Sequence, residues 1–282
     1  MKKPGHAGTP YRVGGVQFLN ARPLVYGLED HDHILLEAAP PSQLASGIES
    51  GHYHAALVPS IDYQATGENW TILPVAAIGS AGKVLTVQVF SHCRPEEIET
   101  LAVDPDSHTS IALAQVVWSL RYRRQLEIVP LHGAPADRHA ILLIGDKVLE
   151  HLDRWPHAVD LGREWNELTS VPFVYAFWAA RQNADWTALV TILRRACELG
   201  TADIDGIVAR YGQEHGFDAA LGKEYLTRNL SFAFGRREKE GLARFYELAH
   251  ELNLIPENKP LQFYGAVEAD VVGQKAPAMD HT

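Results

Sequence analysis

Few residues in this chain combine useful chemistry with a position where a loop would present them to a small molecule. Asn20 follows the apolar run 11–16. Its amide has no useful basicity, but it can donate to and accept from a substrate oxygen, so it suits orienting a leaving hydroxyl or holding an enolate oxygen. Asn is equally common in plain turns. Ser107, Thr109 and Ser110 gather three hydroxyls where an apolar-periodic stretch begins. A helix starting there would offer hydroxyls and unpaired amides to an anion, or the hydroxyls would simply cap it. Thr86 sets a hydroxyl on an alternating segment where β-propensity alone would also put it. Asp146 ends an apolar run, where partial burial would raise its pKa toward that of a general base, unless it only forms a turn.

Fourteen histidines raise the question of a metal. His31 with His33 and His52 with His54 are close pairs, but neither has a third ligand nearby, and the sequence holds no HExxH, CxxC or acidic cluster at ligand spacing. Gly14-Gly15 lacks the spacing of a dinucleotide fingerprint, and there is no P-loop. The expectation is therefore no metal and no cofactor. Cys93 and Cys197 lie far apart without motif spacing and read as reduced, structural residues.

The elements that must position these groups alternate along the chain. Residues 11–16, 34–38 and 54–58 are apolar runs suited to buried strands, with a short helix from Phe18 through Pro23 and another from Pro41-Ser42 to Ile48, capped by Ser42 and stopped by Gly51. Residues 84–90 alternate as a wall strand leaving this first set. A second set follows in similar order: strand 101–103, helix 110–123, strand 128–130 and the run 140–144. Residues 171–180 return as a strand, and from Trp186 the chain is helical, its last helix spanning about 237–252. This alternation predicts an α/β fold with mainly parallel sheets in two lobes. Lobe 1 is assigned residues 11–90 plus 181–256, lobe 2 residues 91–180, and 1–10 and 265–282 are left as tails. Ligands of such sheets bind at strand ends in the crevice, which directs attention to the loops at 18–23, 59–60, 79–86, 104–110, 145–146 and 172–173.

The 282 residues carry a formal charge of −10, which argues against a nucleic acid or anionic membrane as partner. Lys2 and Lys3 precede no apolar segment, and no stretch reaches membrane-spanning length, so a cytoplasmic location is expected.

In those strand-end loops the chain resembles a known family. Phe18-Leu19-Asn20-Ala21-Arg22-Pro23-Leu24 resembles the opening motif of the chorismate dehydratases of the futalosine route to menaquinone. Val58-Pro59-Ser60-Ile61-Asp62-Tyr63, Asp106-Ser107-His108-Thr109-Ser110, Leu143-Ile144-Gly145-Asp146 and the run from Asp160 through Trp165 to Pro172-Phe173 are similar to successive family blocks, as is Tyr225 to Gly235. The likeness covers about residues 11 to 252, with His108 standing where an arginine is expected and Thr86 where a serine is common.

The resemblance implies a two-lobed fold of the type II periplasmic-binding-protein kind, with the ligand in the inter-lobe cleft. It implies a hydro-lyase that converts chorismate into 3-[(1-carboxyvinyl)oxy]benzoate, with no cofactor. Asn20, Thr86 and Asp146 would be its catalytic residues. Arg22, Ser60, Ser107, His108, Thr109, Ser110, Gly145 and Phe173 would hold the substrate, whose two carboxylates need donors. The substrate's own enolpyruvyl carboxylate is an alternative to Asp146 as proton acceptor. Chorismate is the expected small-molecule partner, and the oligomeric state, a homodimer included, is left open. Two rival readings stay open: a non-catalytic binder of small anions, and the later enzyme of the same route that releases dihydroxynaphthoate.

Overall fold

Short apolar runs bounded by turn residues form the inner strands of two sheets, and amphipathic stretches between them form the covering helices. The computed structural model describes residues 9–66, 69–104, 107–133, 138–182 and 184–265. Most of the two expected tails and Asp106 lie outside these residues. In chain order the elements are β1 (Tyr11–Gly15), β2 (Ile34–Ala38), α1 (Pro41–Glu49), β3 (Ala55–Pro59), α2 (Asp62–Ala65), β4 (Trp70–Ser80), β5 (Val87–Ser91), β6 (Thr100–Val103), α3 (His108–Tyr122) and β7 (Glu127–Pro130). There follow β8 (Ala140–Ile144), β9 (His157–Asp160), α4 (Leu161–Thr169), β10 (Phe173–Arg181), α5 (Thr187–Ala202), α6 (Ile204–Ile207), α7 (Ala219–Glu224) and α8 (Arg236–Glu251). Short 3-10 helices at Leu19–Leu24 and Gly145–His151 follow β1 and β8.

The first sheet has strand order β2-β1-β3-β10-β4 and the second β7-β6-β8-β5-β9. The two orders are the same pattern. In each, three strands run parallel from a central β-α-β pair, and one antiparallel strand is inserted fourth. That inserted strand comes from the other stretch of chain. β5 sits in the second sheet between β8 and β9, and β10 sits in the first between β3 and β4. The division at 90/91 and 180/181 drawn from the sequence therefore needs correcting: strand 87–91 belongs to lobe 2 and strand 173–181 to lobe 1. The chain crosses between lobes at 81–86 and again around α4.

β4 has no counterpart among the strands expected from the sequence. It lies at the edge of its sheet, where Pro74 removes no ladder bond that the sheet needs. Its outer side is covered by the segment after α8, through Ile72 N to Gln262 O at 2.8 Å and Tyr264 N to Ile72 O at 2.9 Å. Ser42 is not the cap of α1: Pro40 occupies that position and Pro41 opens the helix, where its missing N–H costs nothing.

Aromatic packing fastens the C-terminal helix to the crossing segments. Trp165 of α4 is fully buried edge-on to Phe173 of β10 at 5.2 Å and to Phe245 of α8 at 6.0 Å, and its indole donates to Pro172 O. Burying side chains of this size stabilises by about 2–3 kcal/mol each.

Candidate active site

The carboxyl ends of β1, β3 and β8 and the start of α3 face one another across the gap between the sheets. They line a cavity open to solvent, concave and largely apolar as small-molecule sites are. Its walls are apolar where Val16, Leu57, Ile78 and Val84 line them, and polar groups enter at two places.

The first is the turn after β1. Leu19, Ala21 and Leu24 are buried on one side of it, and the backbone of Pro23 lies directly on α5, where a Cβ at Gly200 would come within 2.2 Å of Pro23 O. With that face anchored, Asn20 is delivered to the cavity wall. Its Oδ1 is buried and has no hydrogen-bond partner among the described residues. Close by, the Tyr225 hydroxyl shares a 2.7 Å hydrogen bond with Thr86 Oγ1, and the Asn20 side chain is near enough to favour the charged form of that phenol. Burial pushes the Tyr225 phenol well above its ordinary pKa, so it stays a neutral donor. Asn20, Thr86 and Tyr225 thus meet from three distant segments, the latter two hydrogen-bonded.

Thr86 owes its place to a carboxylate. Asp160, 7% exposed, accepts from Val84 N at 3.0 Å, Leu85 N at 2.8 Å, Arg163 N at 3.0 Å and Gln88 Nε2 at 2.7 Å. Leu85 is held at φ +73°, a strained value for a branched side chain, immediately before Thr86. Thr86 O in turn accepts from Gly145 N at 2.9 Å. Gly145 has φ +66°, and a Cβ there would lie 2.8 Å from the Phe18 ring.

The second polar group is the start of α3. Ser107 occupies the cap position but makes no capping bond; its Oγ is buried without a partner among the described residues, on the cavity lining. The first-turn amides of a helix have no partner within it and favour an anion there. Thr109 Oγ1 accepts from Ile61 N at 3.2 Å, and His108 Nδ1 pairs with Asp62 Oδ1 at 2.9 Å. Both contacts join lobe 2 to lobe 1, so the helix start is docked across the cleft.

Residues 11–251 match the model of a family described as menaquinone biosynthesis. The chain belongs to that family. A chorismate dehydratase from Thermus thermophilus is 27% identical over 264 residues, covering 84% of this chain and 94% of that protein. Among solved structures, a structural-genomics protein from Archaeoglobus fulgidus superposes with a TM-score of 0.69 at 16% identity, covering 89% of this chain and all of that one. An alkanesulfonate-binding protein from Xanthomonas axonopodis pv. citri, bound to MOPS, gives 0.65 at 16% identity over 90% and 96% of the two chains. A Candida albicans protein described as having the generic periplasmic binding protein fold gives 0.61 at 11% identity, over 89% and 92%. This chain and these neighbours share the two-lobed, periplasmic-binding-protein-like architecture expected from the resemblance.

Against the motifs of the family, the structure brings together Asn20, Thr86, Ser107, His108, Thr109, Ser110 and Gly145 on the cavity. Four expected residues are elsewhere. Ser60 is fully buried, its hydroxyl donating to Val174 O at 2.8 Å and its carbonyl accepting from Tyr246. Phe173 belongs to the aromatic packing under α4 and α8. Arg22 lies over the Tyr211 ring at 4.2 Å, outside the cavity. Asp146 is turned away from it as well, pairing with His215 Nδ1 at 2.6 Å. Tyr175 and Tyr225 were not anticipated. Tyr175 lines the cavity, bonds Ser80 Oγ at 3.2 Å and has its phenol pushed far up by burial. Their partners lie 95 and 139 residues away in sequence. No group of three or more metal-ligating side chains occurs among the described residues, and none of their helices is long and apolar enough to cross a membrane.

Proposed function

We propose that this family member is a chorismate dehydratase, a hydro-lyase that removes water from chorismate to give 3-[(1-carboxyvinyl)oxy]benzoate. One observation carries the reading. A largely apolar cavity has unpartnered buried oxygens of Asn20 and Ser107 on its lining, and its walls include the Asn20–Thr86 edge and an uncapped helix start. A cyclohexadiene bearing one carboxylate, a hydroxyl and an enolpyruvyl ether with a second carboxylate calls for that combination. The name of the Thermus thermophilus relative points the same way, and as a biosynthetic enzyme the protein would act in the cytoplasm on free chorismate.

In the reaction the C3–H and C4–O bonds break, and the hydroxyl leaves with a proton as water while the ring becomes aromatic. Charge released at C3 spreads through the ring diene into the ring carboxylate. Donors fixed there before the reaction stabilise that charge; removing one such donor typically costs about 100-fold. The start of α3, with Ser107 and His108, is assigned to a carboxylate, and Asn20 with Thr86 to the leaving hydroxyl. Tyr225 holds Thr86 in place beside Asn20. Because the Asp146 carboxylate faces His215, the C3 proton is assigned to the substrate's own enolpyruvyl carboxylate.

The test is purified protein with chorismate, followed by mass spectrometry. A product lighter by one water, abolished in Asn20→Ala, supports the reading. Chorismate bound but unchanged supports a binding protein, and no binding sends the search to a later step of menaquinone synthesis. An analogue with the enolpyruvyl carboxylate amidated should bind without turning over; its turnover would remove the self-assisted step.

A further inference from the structure

Behind the cavity the turn after β1 rests on a second polar cluster that the reaction above does not use. Asp146 Oδ2 accepts from His215 Nδ1 at 2.6 Å, with both side chains less than a fifth exposed. The Leu19 amide and the Arg22 guanidinium also act on this carboxylate. Asp146 Oδ1, His215 Nε2 and Arg22 Nε are buried without a hydrogen-bond partner among the described residues. Groups left so carry a desolvation cost, so stability alone does not account for the cluster.

Its connections do. Asp146 directly follows Gly145, which lines the cavity and donates to Thr86 O. Leu19 directly precedes Asn20. His215 stands on the turn Gln213–His215, ahead of the segment that carries Tyr225. We infer that His215 is a positioning residue for the dehydration: through Asp146 it holds the Leu19–Asn20 turn of lobe 1 against the Gly145 loop of lobe 2. This rests on the dehydratase reading.

The pairing has a pH signature. Burial raises the Asp146 carboxyl above the ordinary range, and His215 and Arg22 oppose that rise. The other groups facing it are the Tyr225 phenol, which feels its charge, and Glu214, which lines the adjoining pocket with Arg22 and His215; Lys147 is turned to Asp104 at 2.7 Å. As pH falls through the raised pKa, Asp146 protonates and loses its pairing with His215. Removing His215 takes away one of the groups favouring the carboxylate, so Asp146 then protonates at higher pH.

The experiment is steady-state dehydration of chorismate across pH with His215→Gln and His215→Phe, thermal unfolding being followed alongside. Gln retains a neutral donor and Phe retains none. The expected result is kcat down about tenfold in His215→Gln and further in His215→Phe, KM within about twofold, and the acid limb of kcat moved to higher pH. Folded variants with wild-type kcat and acid limb overturn the inference. So does a loss of rate that only tracks the fall in melting temperature, with no shift of the limb. A wild-type protein that leaves chorismate unchanged overturns the dehydratase reading itself, and is recognised before any variant is made.

Discussion

The Asp160 carboxylate accepts the Leu85 amide at 2.8 Å across 75 residues of sequence, joining the two places where the chain crosses between lobes. Asp160 also caps α4 through Arg163 N, so a single side chain sets the helix start, the strained Leu85 backbone and the entry to Thr86. Removing it leaves three backbone amides without their acceptor in a buried region, and Gln88 Nε2 with only Leu85 O. Asp160→Ala should therefore lower unfolding free energy by about 3 kcal/mol, read from urea denaturation. A loss under about 1 kcal/mol would show that the junction tolerates the missing carboxylate.

Tyr225→Phe removes the hydroxyl that holds Thr86 beside Asn20 while keeping the ring, which stacks on Phe217 at 4.9 Å. The expected outcome is a drop in kcat of about tenfold with little change in melting temperature. Because burial raises the phenol's pKa, the neutral form persists through and beyond its ordinary range. The wild-type pH profile should accordingly show no alkaline limb from this group up to about pH 10; a limb below that, lost in Tyr225→Phe, would contradict the assignment.

Gly145→Ala combines a left-handed backbone with a methyl group 2.8 Å from the Phe18 ring. It should destabilise by about 1–3 kcal/mol and impair turnover, since the Phe18 ring also lines the cavity. Calorimetry and initial rates on one preparation check both effects.

Cys197 has its thiol pushed up by burial to about 11, so its thiolate is scarce at pH 8. Alkylation at pH 8 in the folded state, followed by peptide mass spectrometry, should find Cys197 unmodified long after a small free thiol has reacted.

What could be read from the sequence follows physical locality. Residues 34–38 and 140–144 form strands with the expected bounds because each is an apolar run flanked by turn residues. The last helix differs by one residue at each end, its face being set by a clear 3.6 period. β4 escaped because Pro74 interrupts its pattern, and β9 because four residues carry too little periodicity. In the site, Asn20, Thr86 and Ser107 could be placed from their loops. The direction of a side chain within a tight turn could not: Arg22 and Asp146 share the loops of Asn20 and Gly145 but point behind the cavity. Tyr225 and His215 enter through contacts spanning 139 and 69 residues, which no local pattern encodes.

The exchange of inserted strands has a consequence for how the protein is made. During synthesis β1, β2, β3 and β4 leave the ribosome long before β10, which must lie between β3 and β4. Until residue 181 has emerged, β3 keeps an open edge and β4 has no neighbouring strand, each a template for pairing with another chain. Lobe 2, whose strands run consecutively from β5 to β9, can close first. The nascent chain should therefore gain its first protease-resistant structure in its middle third, with the N-terminal residues still open to cleavage until β10 has emerged.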